Sequence, residues 1–279
     1  MNHPNRDMSV PTTLGSLAVH DSGPADGDVA LLWPSLFSDG QTSWGGQLAG
    51  LHELGWRTLL VEPPGTGSSA PASRLFTMEE CAEAAIQILD AACADRAAFL
   101  GLSWGGFVGL RVALAAPRRV TALVLSNTSA RRMTFVQRQR SRLEANLVRI
   151  GVPGGVGRLV AAAMLSDHSR RTYPALAKRF AHGVDSLDAA SLSRAMRSVL
   201  VNRTSVVNVL HRITAPTLVI VGGEDQALPR IHSEELADHI PGARLEVLPR
   251  VGHLAPWEAP SAVAALLAQF LTPQGTHKS

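Results

Sequence analysis

Short, almost uninterrupted apolar runs recur along this chain and alternate with longer segments of helical spacing. Strands that are apolar on both faces are typical of a parallel sheet covered by helices on each side. The alternation of strands and helices therefore predicts an α/β fold with a mostly parallel sheet. The runs that predict strands are DVALLW (28–33), RTLLVE (57–62), RAAFLGL (96–102), VTALVLS (120–126), PTLVIVG (216–222) and RLEVLP (244–249).

Two other segments add to this pattern. TMEECAEAAIQILDAA, which begins at Thr77, has helical spacing, and Thr77 and Glu80 stand at the spacing of a capping box. GSLAVHDSG (15–23) is a short, mixed run. It predicts an antiparallel strand or a hairpin at the edge of the sheet.

Strand patterns stop between Asn127 and about Arg212, where helical, arginine-rich sequence takes over. We interpret residues 128–212 as a helical lid, or cap, inserted into a core domain formed by residues 1–127 and 213–279. Because ligands of open α/β sheets bind beyond the carboxyl ends of the strands, we expect the lid to cover that edge.

The predicted lid is strongly basic. From Arg131 to Arg203 there are 14 Lys and Arg residues against four acids. This charge suits a carboxylate, a phosphate or a carrier-bound acyl substrate. Arginines on the outer faces of amphipathic helices are an equally ordinary explanation, so the alternative of a solvated surface stays open.

Composition narrows the function classes. The formal net charge of the 279-residue chain is +3, too small to favour nucleic acid, and Tyr173 is the only tyrosine for base stacking. The sequence contains no run of about 18 apolar residues, and its N-terminal stretch MNHPNRDMSV lacks the apolar region of a signal peptide. We therefore expect a cytoplasmic protein without a nucleic-acid or membrane partner, and no pattern specifies an oligomer.

Cysteine and histidine usage suggests neither a disulfide nor a metal site. Cys81 and Cys93 lie in one helical-looking run, roughly 18 Å apart at the rise of a helix. We expect both to be reduced thiols. The histidines outside the motifs described below show no spacing typical of metal ligands.

A serine flanked by glycines stands where a strand pattern gives way to a helical one, in AAFLGLSWGGFVGLRVALAAP (97–117). The residues Gly101 to Gly105 fit G-x-S-x-G, and the strand–turn–helix context is that of a nucleophile elbow. Such a turn is strained and needs small neighbours, because strand and helix approach closely there. Ser103 is therefore the candidate nucleophile.

Two further polar residues follow later strands. Asp225 lies in GGEDQALP after the strand TLVIV, with Pro229 expected to open the next helix, and His253 lies in RVGHLAPWEAP after the last strand. The order serine, aspartate, histidine is the order found in α/β-hydrolases. Two alternatives stay open for the acid: Asp225 could cap a helix, and Glu224 is its neighbour.

With these motifs the chain resembles the α/β-hydrolase fold superfamily, in its lid-bearing branch of small esterases, lactonases, carbon–carbon hydrolases and perhydrolase-like enzymes. The resemblance covers about residues 15–271 and rests on GLSWGG, GGEDQALP, GHLAPWEAP and EPPGTGSS (62–69). The last motif is similar to the family loop D-x-x-G-x-G-x-S, with Glu62 in place of aspartate. The resemblance implies a sheet of about eight strands with helices on both faces and a helical lid.

The resemblance also implies a mechanism. Ser103, His253 and Asp225 would form a triad that cleaves a small-molecule carboxylic ester or lactone through an acyl-enzyme, with no metal or organic cofactor. Acyl transfer, thioester hydrolysis and carbon–carbon cleavage are alternatives with the same triad. An alternative of another class is a ligand-binding protein without turnover, which a fluorophosphonate probe would distinguish because it labels an activated serine.

The sequence departs from the family at the predicted oxyanion hole. In LLWPSLFSDG, Pro34 and Ser35 stand where family members usually carry His-Gly. Carried over by position, the oxyanion donors are the backbone N–H groups of Leu36 and Trp104.

Overall fold

The computed structural model describes residues 6–271, and an eight-stranded sheet forms its centre. The outer ends of the predicted core ranges, 1–5 and 272–279, lie outside the described residues. The strands are β1 (Arg6–Thr12), β2 (Gly15–Ser22), β3 (Asp28–Trp33), β4 (Trp56–Val61), β5 (Ala97–Leu102), β6 (Val120–Ser126), β7 (Thr217–Gly222) and β8 (Arg244–Leu248). Their order is β1-β2-β4-β3-β5-β6-β7-β8.

Most neighbouring strands pair in parallel. From β4 through β3, β5, β6 and β7 to β8 every pair is parallel. The strand β2 is antiparallel to both β1 and β4. The prediction of a mostly parallel sheet of about eight strands is therefore confirmed, and the predicted edge segment 15–23 forms one arm of a hairpin.

The strand β1 was not predicted. Its sequence RDMSVPT alternates between exposed and buried positions, and only Met8 and Val10 point inwards. Pro11 lacks a backbone N–H group, which is acceptable here because β1 is the last strand at this edge. A half-exposed edge strand of this kind resembles a loop in sequence.

Helices cover both faces of the sheet. Side chains from α2, α3 and α9 pack on one face, and side chains from α1 and α11 pack on the other. The helices are α1 (Gly40–Glu53), α2 (Met78–Ala91), α3 (Trp104–Ala115), α4 (Phe135–Ile150), α5 (Gly157–Met164), α6 (Asp167–Thr172), α7 (Pro174–Asp185), α8 (Ala189–Met196), α9 (Ile231–His239), α10 (Ala255–Glu258) and α11 (Pro260–Leu271).

The helix α2 begins with the predicted capping box. Thr77 Oγ1 accepts the Glu80 N–H at 3.1 Å, and the Glu80 carboxylate accepts the Thr77 N–H at 2.8 Å. The helix ends at Ala91, so Cys93 lies just outside it, contrary to the expectation of one run containing both cysteines. Cys81 is buried, Cys93 is exposed, and both thiols are free.

Residues 128–212, which we call the helical segment, contain α4 to α8, a π-helical turn (Arg197–Val201) and a 3-10 helix (Val207–Arg212), and no strand. The segment packs on the loop that follows β4, because Ser191 Oγ accepts the N–H of Ala72 at 2.9 Å. It also packs on α10, because Ser166 Oγ donates to Glu258 at 2.8 Å. The segment therefore lies over the edge at which the parallel strands end.

Two buried arginines fasten the ends of the helical segment to α3. The Arg203 guanidinium lies 3.6 Å from the Phe107 ring centroid and donates to the Arg131 carbonyl at 2.8 Å. Arg111 donates to the carbonyls of Phe107 at 3.0 Å and Thr204 at 2.9 Å. Both ends of the segment thus meet one turn of the helix that follows Ser103.

No helix within residues 6–271 has the length and apolar character needed to cross a membrane.

Candidate active site

Ser103 occupies a sharp turn between β5 and α3. Its φ and ψ angles are 52° and −104°, a left-handed conformation that is rare for residues other than glycine. The Ser103 N–H donates to the Ser126 carbonyl at 2.8 Å, and the Ser103 carbonyl accepts the Thr128 hydroxyl at 2.8 Å. These bonds hold the turn, which has the geometry predicted from the motif.

The glycines around Ser103 allow close approach of backbones. A Cβ atom at Gly101 would collide with the backbone of Gly105, and one at Gly105 would collide with the carbonyl of Trp33. The Gly105 N–H also donates to the Pro34 carbonyl at 3.1 Å. The start of α3 therefore lies directly against the loop that follows β3.

The structure brings Ser103, Asp225 and His253 together. His253 Nε2 is 2.8 Å from Ser103 Oγ, and His253 Nδ1 is 2.8 Å from Asp225 Oδ2. Because an ionised carboxylate can only accept, Nδ1 donates to Asp225 and Nε2 accepts the serine hydroxyl. The three side chains are buried, with relative exposures of 7% for Ser103, 6% for Asp225 and 1% for His253.

Asp225 uses its two carboxylate oxygens differently. Oδ1 accepts the N–H groups of Ala227 and Leu228, both at 2.9 Å, while Oδ2 faces His253. The aspartate therefore caps a turn and binds the histidine at once. The expectation that Pro229 opens the next helix was wrong, because α9 begins at Ile231.

Asn127 is a neighbour of Asp225 that the sequence motifs did not reveal. Its amide Nδ2 donates to Asp225 Oδ2 at 2.9 Å and to the Gly252 carbonyl at 3.0 Å. It also has a left-handed backbone, with φ of 47°. Asparagine tolerates that conformation better than most residues, which is the one signal that could have marked it.

Several interactions act on the pKa of Asp225. Burial alone would raise this pKa, but the attraction of His253 and hydrogen bonds from His253, the Leu228 N–H and Asn127 outweigh burial. The pKa of Asp225 therefore lies below its ordinary range. The carboxylate stays ionised at neutral pH.

Glu258 fastens the loop that carries His253. Its Oε1 accepts the N–H groups of Gly252 at 3.1 Å and Leu254 at 3.2 Å, and its Oε2 accepts the N–H and hydroxyl of Ser166. The His253 N–H donates to the Met164 carbonyl at 2.7 Å. The histidine loop is thus tied directly to the helical segment.

The predicted oxyanion donors lie at the edge of a small cavity. Leu36 and Trp104 line a cavity of about 20 Å³, beside Gly65 and Leu187. Within residues 6–271 the N–H groups of Leu36 and Trp104 donate no hydrogen bond, whereas the Ser35 N–H donates to the Ser43 hydroxyl at 3.2 Å. Two N–H groups are therefore available next to Ser103.

Glu62, in the loop after β4, is a buried carboxylate outside this group. It accepts the Gly40 N–H at 3.1 Å and the Thr66 hydroxyl at 3.0 Å. His20 Nε2 lies 3.5 Å away. Burial raises the pKa of Glu62, and the two hydrogen bonds only partly offset this.

The part of the chain that the structure describes contains no group of three or more His, Cys, Asp or Glu side chains arranged to hold a metal ion. The chemistry of the site is that of a serine hydroxyl, an imidazole and a carboxylate.

Comparison with known proteins agrees with the fold. Residues 31–260 match the family model described as alpha/beta hydrolase fold. The chain is 32% identical over 236 residues to the putative carbamate hydrolase RutD of Variovorax paradoxus (strain S110), covering 83% of this chain and 86% of that protein.

Two further proteins are similar. A 2-hydroxy-6-oxononadienedioate/2-hydroxy-6-oxononatrienedioate hydrolase of Cupriavidus pinatubonensis is 29% identical over 262 residues, covering 90% of this chain and 89% of that protein. The crystal structure of a hydrolase from Pseudomonas aeruginosa PA01 superposes with a TM-score of 0.85 at 29% identity, covering 96% of this chain and 99% of that one.

Proposed function

The chain belongs to the α/β-hydrolase fold family and is a hydrolase, and from this premise we propose that it cleaves a small-molecule carboxylic ester or lactone. We propose Ser103, His253 and Asp225 as its catalytic triad. The observation that carries the proposal is the continuous, buried series of hydrogen bonds from Ser103 Oγ through His253 to Asp225, 2.8 Å at each step.

In the first step His253 Nε2 takes the proton of Ser103 as the serine oxygen attacks the substrate carbonyl. The imidazole becomes positively charged, and the ionised Asp225 stabilises it and holds its orientation. Water cannot easily compete for these groups, because all three side chains are buried. Burial strengthens the attraction between the imidazolium and the carboxylate.

The attack places negative charge on the carbonyl oxygen. We propose that the N–H groups of Leu36 and Trp104 bind this oxyanion. Their availability and their position on one cavity wall support the assignment. His253 then protonates the leaving oxygen, and water attacks the resulting acyl-enzyme with the same histidine as base.

We propose that the helical segment, residues 128–212, is the lid, and that residues 1–127 and 213–279 form the core. Support comes from the position of the segment over the ends of the parallel strands and from the bond between Met164 and His253. In this arrangement the core supplies the reacting groups, and the lid shapes the space in which the substrate binds.

The test is release of p-nitrophenol from acetate, butyrate and octanoate esters at about pH 8, where an ordinary histidine is neutral and can act as base. We expect Ser103→Ala to lose about 10⁴-fold or more of the turnover. Ser233→Ala is the matched control, since Ser233 is also buried but lies in α9. Undiminished turnover by Ser103→Ala would overturn the proposal.

A fluorophosphonate probe separates this proposal from a ligand-binding protein without turnover. An activated Ser103 should be labelled in the wild type, and Ser103→Ala should not be labelled. Absence of labelling in the folded wild-type protein would favour the binding alternative.

Carbamate hydrolysis is a second candidate, favoured by the relative that is 32% identical and named a putative carbamate hydrolase. A carbamate presents a carbonyl to the same serine and oxyanion donors, but nitrogen leaves in place of alkoxide oxygen. Comparing kcat/KM for a carbamate and an ester with the same alkyl groups decides between the two, because the better substrate shows the higher value.

A further inference from the structure

The small cavity beside Leu36 and Trp104 adjoins a larger one. A second cavity of about 200 Å³ shares Phe37, Ser38 and Leu187 with the wall of the first. It extends from these shared residues towards α7 and α10. The second cavity therefore adjoins the cavity whose wall includes both proposed oxyanion donors.

The walls of this second cavity are largely apolar. Phe37, Phe180, Leu187 and Trp257 contribute side chains, and the rings of Phe180 and Trp257 lie 5.7 Å apart. Such walls suit the carbon chain of a substrate.

One positive charge stands at the side of the second cavity. The Arg179 guanidinium lies 5.1 Å from the ring centroid of Trp257, which orients it. Within residues 6–271, Arg179 has no ion pair with a carboxylate. The carboxylate of Asp39, also in the wall, accepts the Thr42 N–H at 2.5 Å and caps α1.

These observations give an exposed cation that has no counter-ion within residues 6–271, at the side of a partly apolar cavity that adjoins the proposed oxyanion site. A guanidinium in such surroundings binds carboxylates well, because it presents several N–H donors in one plane. His182, one turn of α7 further on, lines the same cavity and can supply another donor.

We propose that Arg179 binds a carboxylate at the far end of the substrate, so that the preferred substrates are half-esters of dicarboxylic acids or lactones bearing a carboxylate. The chain between the two ends lies against Phe37 and Leu187. This inference rests on the proposed function, since it places the scissile carbonyl at Ser103.

The first measurement is binding to Ser103→Ala, which avoids turnover. The ligands are monomethyl succinate, adipate and suberate, each compared by calorimetry with the neutral methyl ester of the same chain length. We expect at least one half-ester to bind about tenfold tighter than its neutral partner, as a charge-assisted hydrogen bond allows. Arg179→Gln in the same background should remove this preference.

Lys178→Gln is the matched control, because it removes one positive charge at the neighbouring exposed position of α7, outside the cavity wall. It should leave the preference unchanged. With Ser103 intact, Arg179→Gln should raise KM for the preferred half-ester about tenfold and leave the neutral ester within about twofold.

The two proposals fail differently. If neither class of ester is hydrolysed while Arg179-dependent binding persists, ester hydrolysis is wrong and the carboxylate site stands. If no half-ester binds better than its neutral partner, or if Arg179→Gln and Lys178→Gln act alike, the carboxylate site is wrong whatever the turnover.

Discussion

At the scale of single residues, Asn127 shows how a side chain outside the proposed triad can act on one of its members, Asp225. Its amide donates to the same Asp225 oxygen that faces His253. The amide therefore fixes the carboxylate in position and helps to keep its pKa low. For the proposed triad, Asn127 is a positioning residue, since Asp225 and His253 lie between it and the proposed nucleophile Ser103.

The variant Asn127→Gly tests this role without straining the left-handed backbone, because glycine adopts positive φ readily. Loss of a hydrogen bond to a charged group should lower kcat about tenfold, with little change in KM. The same change raises the pKa of Asp225 towards its ordinary value of 3.8.

The direction of the shift in the pKa of Asp225 can be tested by unfolding measurements at several pH values. A lowered pKa in the folded state stabilises the protein above the ordinary pKa, and this contribution is lost as the pH falls through the folded value. The variant should therefore lose most stability near neutral pH and differ least from the wild type in strong acid. A difference in urea unfolding that is independent of pH would contradict the role.

Individual residues also show what the sequence could reveal about the site. Ser103, Asp225 and His253 were predicted because each follows a strand and stands in a recognisable motif. The contact of Asn127 with Asp225 and that of Glu258 with Ser166 were not predicted, because these partners lie 98 and 92 residues away along the chain. Hydrogen bonds between such distant residues depend on packing that no local pattern contains.

Glu62 connects two elements, the loop after β4 and the first residue of α1. The raised pKa means that the folded state favours the protonated carboxyl. Stability is therefore full below the ordinary pKa of 4.5 and declines as the pH rises from there through the folded value. When Glu62 is ionised it still accepts the hydrogen bonds from Gly40 and Thr66, but its negative charge is then buried, which destabilises the folded state.

The variant Glu62→Gln should remove this pH dependence, because its amide oxygen can still accept a hydrogen bond but carries no charge. Relative to the wild type, the variant should become more stable as the pH rises from 4.5 to about 7.5, so that its free energy of unfolding increases. Urea unfolding at both values measures the difference. Glu83→Gln, at an exposed position of α2, is the control. If the free energy of unfolding changes with pH in the same way in both variants, the expectation is refuted.

Elements were predicted best where burial dominates. The predicted bounds of the strands from β3 to β8 agree with the structure to within one residue at either end, and all of these strands except β8 are mostly buried. The strand β1 was missed because half of its residues face solvent and one is Pro11. The end of α2 was placed too late, because Cys93 takes a left-handed conformation, with φ of 54°, that its apolar neighbours do not reveal.

At the scale of the whole molecule, the three side chains of the proposed triad are buried. The cavity lined by Leu36 and Trp104 measures about 20 Å³ and holds roughly one water molecule. A substrate group larger than one water molecule can enter this cavity only if part of the cavity wall moves. Leu187, between α7 and α8, belongs to the wall of both cavities, and its displacement would join them.

Shortening this side chain should therefore ease access for large reagents. We expect Leu187→Ala to raise the labelling rate of a long-chain alkyl fluorophosphonate about tenfold, a barrier lower by about 1.4 kcal/mol, and to change that of a short-chain probe little. Leu176→Ala, a half-buried leucine of α7 outside both cavity walls, is the control. Equal acceleration of long and short probes would show that Leu187 does not restrict entry.

At this scale the sequence predicted a stretch without strands between β6 and β7 but not how its helices pack. The loss of strand patterns after Asn127 and their return after Arg212 mark its limits. The pairing of Arg179 with Trp257 joins two elements far apart in the chain and follows only from the folded structure. The sequence showed that the segment is basic, but only the structure shows that Arg179 lies at the wall of a cavity.

The helical segment departs from the edge where β6 ends and comes back to almost the same place before the chain continues to β7. The Val206 N–H donates to the Ala130 carbonyl at 2.9 Å, and Arg203 and Arg111 hold both ends on α3. A chain insertion with adjacent ends can be lengthened, shortened or exchanged without altering the order of the strands. In evolutionary terms, selection can redesign the entrance for new substrates while the serine, histidine and aspartate stay in inherited positions.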